Sequence, residues 1–89
     1  LLDAIEETKH TVQEELNVFP NPVKHRLFIE GKTNIQNIRI YNLLGELVYS
    51  ESEIHTSNKQ INVETLKSGI YILQIESESG FFQYKFVKH

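Results

Sequence analysis

The sequence has no cysteine, no methionine, no tryptophan, one aspartate (Asp3), two prolines and four glycines in 89 residues. Without cysteine there is no disulfide staple and no thiolate nucleophile or metal ligand. A lone aspartate excludes an Asp-rich calcium loop. Four well-separated glycines leave no loop to cradle a phosphate. Basic residues are scattered and the net charge is −3, so no basic stripe points to nucleic acid. The longest apolar run, Ile70 to Leu73, falls far short of the roughly 20 residues a bilayer-spanning helix needs, and no direct membrane insertion is expected. Since the chain lacks methionine and starts at Leu1, it reads as part of a longer protein.

What is present suits one small domain. Apolar residues make up 39%, enough for a single core; a domain of this size buries only about 60% of its unfolded surface. Residues 1–15, "LLDAIEETKHTVQEE", stand apart: acidic, with no glycine, proline or aromatic. Leu1, Ile5, Thr8 and Val12 recur at helical spacing, but an isolated helix this short is marginal in water. The segment reads as a linker of helical tendency, joining residues 16–89 to an upstream partner in cis.

From Leu16 the apolar period becomes two, the period of strands. Seven candidates follow: Leu16–Phe19, Arg26–Glu30, Gln36–Asn42, Glu46–Ser50, Lys59–Val63, Ile70–Glu76 and Phe81–Lys88. Leu27 and Ile29, Ile38 and Ile40, Ile61 and Val63, and Tyr71, Leu73 and Ile75 each share a face and form the candidate core. Asn42 and Gly45 are spaced as the ends of a type I turn, with Gly45 at positive φ. Gly80 closes a second hairpin. The polar run 52–59 reads as a crossover loop. Together these predict an all-β, antiparallel immunoglobulin-like β-sandwich of about seven strands.

Three stretches stand out. In "FPNP" neither Pro20 nor Pro22 can donate to a ladder, so pairing stops after Phe19. Pro22 drives Asn21 towards extended backbone, and the Asn21 amide is free to bond main chain in the corner or to meet a partner directly. In "LKSGIY", Leu66 can plug the sandwich end, Gly69 can take positive φ, and Tyr71 fits the tyrosine-corner pattern, its hydroxyl reaching back to upstream backbone. In the tail "GFFQYKFVKH", Phe81, Phe82, Tyr84, Phe86 and Val87 place apolar groups on both faces of one strand. One face belongs to the core; the other is open to a partner.

No catalytic or metal constellation emerges. His10, His25, His55 and His89 lack metal-ligand spacing, and no motif marks a nucleophile. The domain is expected to be neither an enzyme nor a cofactor protein.

The ordered set "LNVFPNPVKHRLFIEG", "IQNIRIYNLLGELVYS", "INVETLKSGIYILQIESESG" and "YKFVKH" resembles the type A C-terminal sorting domain of type IX secretion, the Por secretion system tail. Pro20, Asn21 and Pro22 match its opening motif. Leu27, Ile29, Ile40, Tyr41, Asn42 and Gly45 match its next strands and turn. Leu66, Gly69 and Tyr71 match its later corner, and Lys85 and Lys88 its lysine-bearing last strand. Asn42 and Glu64 stand where the family often has aspartate. The resemblance implies a C-terminal signal that carries its cargo through the periplasm and across the outer membrane of a Gram-negative cell, to the surface or the medium. It implies as partners the type IX translocon and a sortase-like peptidase that cleaves in the linker. Phe81, Phe82, Lys85, Phe86, Val87 and Lys88 are the candidate translocon contacts, and self-association through the last strand is a further expectation. A fibronectin III or immunoglobulin-like adhesion or spacer module, including one that binds carbohydrate, is the rival reading.

Overall fold

The computed structural model describes residues 16–89; the helical tendency expected of residues 1–15 falls outside them. Six strands follow in order: β1 (Leu16–Phe19), β2 (Arg26–Asn42), β3 (Leu47–Glu51), β4 (Thr56–Asn62), β5 (Gly69–Ser77) and β6 (Gly80–Lys88). All the pairings between strands are antiparallel. The first half of β2 pairs with β1 on one side and β4 on the other. Its second half pairs with β3 and β5, and β5 with β6. One long strand therefore runs through two layers, β1–β2–β4 and β3–β2–β5–β6.

The core follows from the period-two pattern. Leu27 and Ile29 from the first layer, Ile38, Ile40, Leu73, Ile75 and Phe86 from the second, and Ile61 and Val63 from β4 and its end are all at most 1% exposed, and they form one cluster. Each fully buried Leu, Ile or Phe contributes about 1.5–3 kcal/mol of transfer free energy. Every residue predicted from alternation as inward is buried, Tyr71 included.

The second and third predicted strands are one element. "GKTN" (31–34) looked like a break, yet β2 continues through it and only the ladder shifts, between Glu30 and Asn37. Contacts remote in sequence hold this stretch extended. Glu78 N–H donates to Asn34 C=O at 3.0 Å, and Thr33 Oγ1 donates to Ser79 Oγ at 3.1 Å. Gly31 lets Leu16 pack closely over it: a Cβ there would lie 2.7 Å from Leu16 Cδ2, and that side chain would have to shift.

The predicted loop 52–59 is shorter than expected, because Thr56–Lys59 already pair with β2. Within the remaining link, Glu53 and His55 have φ of 56° and 47°. Between them the buried Ile54 turns inward and its N–H donates to Gln36 C=O. The two layers are also tied at their rims. Lys59 Nζ on β4 lies 2.8 Å from Glu51 Oε2 on β3, and Tyr49 hydroxyl donates to Glu51 Oε1. The Lys59 ammonium, then the Tyr49 hydroxyl, hold the Glu51 carboxyl below its ordinary range. Burial, then the neighbouring carboxylate, pushes Tyr49 up to about 12.

Candidate functional site: the last strand and its corner

β6 divides the predicted contact residues between its two faces. Residues directly opposite in a ladder share a face. Val87 faces Ile70, Lys85 faces Ile72, Gln83 faces Gln74 and Phe81 faces Glu76, all on the outer side. Phe81 is 75% exposed, Lys85 is exposed and Val87 half-buried. Phe82, Tyr84, Phe86 and Lys88 alternate inward. Phe82 packs against the core and Phe86 is buried, its ring 5.6 Å from that of Tyr71. Tyr84 hydroxyl donates to Leu16 C=O at 3.4 Å, and burial raises its pKa. Lys88 is 7% exposed, and its Nζ donates to His89 C=O at 2.8 Å. Thus Phe81, Lys85 and Val87 come together on one open face, while Phe82, Phe86 and Lys88 do not.

The Pro-Asn-Pro corner belongs to this site. β1 ends at Phe19, before the first proline, and the Phe19–Pro20 and Asn21–Pro22 bonds are both cis. Asn21 then reaches across to the far end of the chain: its Nδ2 donates to Lys85 C=O at 3.2 Å, and its Oδ1 accepts from Val87 N–H at 2.9 Å. Val23, fully buried, continues the contact in parallel sense. Its N–H donates to Val87 C=O at 2.8 Å, and its C=O accepts from His89 N–H at 2.9 Å. The corner thus serves as a short extra strand beside the last residues of β6.

The other singled-out residues are structural supports. Tyr71 hydroxyl donates to Lys67 C=O at 2.6 Å, the predicted corner. Leu66 packs half-buried on the core, with its N–H on Val63 C=O, and Gly69 opens β5. Gly45 has φ of 85° and its N–H bonds Asn42 C=O, closing the β2–β3 turn.

Sequence reasoning missed one surface. Leu43 and Leu44, 66% and 85% exposed, stand at the tip of that turn. Leu47, Tyr41, Ile72 and Lys85 follow one another across the outer face in register. Two leucines inside a turn, "NLLG", were the available signal. Among the described residues, no three His, Cys, Asp or Glu side chains gather as a metal site.

The chain is similar to a solved structure of PorZ, described as an essential bacterial surface component of the type-IX secretion system of Porphyromonas gingivalis. The TM-score is 0.67 and the identity 18%, over 86% of this chain and 12% of that one. At that identity the likeness concerns the fold, and this chain spans only a small part of the length of that protein. No curated protein matches it. Residues 17–89, covering β2 to β6 and nearly all of β1, match the family described as the secretion system C-terminal sorting domain, and the chain belongs to that family.

Proposed function

We propose that the folded sandwich, rather than a short linear motif, is the signal read by the type IX machinery, and that β6 presents it. As a sorting domain of this family, the chain directs the protein that bears it out of the cell by type IX secretion. The cargo would lie upstream in cis, cross the periplasm, and be released or anchored at the surface once a sortase-like peptidase cuts within residues 1–15. Of the six candidate contacts, Phe81, Lys85 and Val87 would touch the translocon directly. Phe82, Phe86 and Lys88 would hold the strand in place for them. The observation that carries this reading is the division of β6: one face is locked into the core, while the other stays open with an exposed aromatic and a cation.

The test is a fusion of residues 1–89 to a periplasmic reporter in a host with a type IX system. Deleting Phe86–His89 should block export, but it also removes a buried ring. Surface changes are therefore sharper. Phe81→Ser with Lys85→Glu should leave the melting temperature of the isolated domain near the parent value and cut surface delivery severalfold. Leu27→Asp, which unfolds the core, should abolish delivery. Full delivery by the unfolded variant would refute the folded signal, and full delivery by the surface double variant would move the contact away from β6.

A further inference from the structure

The two halves of β6's outer edge are in different states. β6 is the last strand of its layer and pairs with β5 in one unbroken register, so the N–H and C=O groups of alternate residues point to the same side. The bonds to Asn21 and Val23 show that Lys85 and Val87 belong to the outward set. The same alternation aims the N–H and C=O of Phe81 and Gln83 outward, and among the described residues nothing meets them. The corner covers one half of the edge and leaves the other half open.

The open half lacks the usual guards. Exposed edges are commonly protected by charge, proline or a bulge. Gly80 to Tyr84, "GFFQY", has no charge and no proline, and no bulge interrupts its pairing. By contrast, β1 is followed at once by Pro20, and β3 pairs with β2 through a register shift.

We propose that a second copy of this chain occupies the open edge, the two β6 strands pairing antiparallel about a twofold axis at Phe82. The register follows from which groups are available. Centred on Phe82, Phe81 lies opposite Gln83 of the second copy, and each exchanges N–H and C=O with the other. Phe82 then meets Phe82, an aromatic cross-strand pair, and no like charges are brought opposite each other. Centred on Gln83 instead, Phe81 would need the carbonyl of Lys85, which Asn21 already holds. The contact is isologous and closes on itself, so it yields dimers rather than fibres. The β3–β2–β5–β6 layer becomes one sheet continuous across both copies. The pairing does not rest on the export reading, because it belongs to the isolated chain.

The experiment combines sedimentation with amide hydrogen exchange on the full 89-residue chain over a range of concentrations. The expected result is a mass rising towards that of two chains, with protection at the Phe81 and Gln83 amides rising in step. Gln83→Pro removes the outward N–H, together with the side-chain contact from Gln74, and should remain monomeric with an unchanged β circular-dichroism spectrum. A charge swap covers the case in which that variant fails to fold. Phe81→Lys with Gln83→Lys, and Phe81→Glu with Gln83→Glu, should each be monomeric alone and should pair when mixed. A mass of one chain at every concentration, with both amides exchanging at a constant rate, overturns the proposal. So does a mixture of the charge variants that stays unpaired.

Discussion

Asn21 and Asn42 do the same chemistry in two settings. Each uses its carboxamide as donor and acceptor, and each sits beside main-chain bonds that already close its corner. Asn42 serves its own turn: Oδ1 accepts from the N–H groups of Leu44 and Glu46, and Nδ2 donates to Glu46 Oε1 at 2.7 Å. Asn21 instead bonds residues 64 and 66 positions away. One fixes a hairpin that would turn there anyway; the other joins the start of the domain to its end. An asparagine in a turn thus has two possible reaches, and only the folded chain selects between them.

That comparison can be broken most forcefully by removing the ring that lies between the two residues Asn21 holds. Phe86→Ala takes a buried ring off Tyr71 and should cost about 3–5 kcal/mol, as large-to-small core changes do; denaturant unfolding measures it. The two asparagines can then be set side by side. Asn21→Ala should cost about 1–2 kcal/mol, the net worth of two hydrogen bonds, and should speed exchange of the Val87 amide. It also bares Lys85 C=O and Val87 N–H, lengthening the open edge, so self-association should increase. Asn42→Ala should cost about 1–2 kcal/mol as well, speed exchange only at Leu44 and Glu46, and leave association unchanged. If the two variants gave the same exchange pattern, the distinction between local and distant anchoring would collapse.

Tyr71→Phe provides a local reference, since its hydroxyl bonds a carbonyl only four residues upstream. It should cost about 1 kcal/mol, read as a lower melting temperature with the Val87 amide still protected. The smallest effect is on pH. Tyr49 is neutral in both states below an unfolded value near 10, so its contribution is fully present there. It is lost as pH rises from about 10 towards the folded value of about 12, because the unfolded chain releases the proton first. Tyr84 adds to this with the same sign. Glu51, shifted down, works in the opposite direction: its contribution holds above the unfolded carboxylate range and fades as pH falls through the folded value. Melting temperature should therefore be flat at neutral pH and fall at both extremes, with Tyr49→Phe removing part of the alkaline fall.

The same division between near and far explains what the sequence could reveal. The inward residues of β2, of β5 and of the end of β4, the Asn42–Gly45 turn and the Tyr71 corner were legible because alternation and turn chemistry act over a few residues. The family was legible because several such signals stand in a fixed order. The unbroken course of β2 was not, since Glu78 and Ser79 hold Thr33 and Asn34 extended from 44 to 46 positions away. Nor was the inward turn of Ile54, which depends on positive φ at Glu53 and His55, uncommon for any residue but glycine. At the candidate site, alternation put apolar groups on both faces of β6. It could not say that Asn21 and Val23 would cover half the edge, because nothing local links them to Lys85 and Val87.

The passage of β2 through both layers bears on how the domain comes apart. The first layer has no central strand except the half of β2 whose other half is central to the second, so the two layers stand or fall as a single cooperative unit. A proteolytic nick between Lys32 and Thr33 would cut the spine of both layers at once, whereas a nick in the Glu53–His55 link would leave every ladder intact.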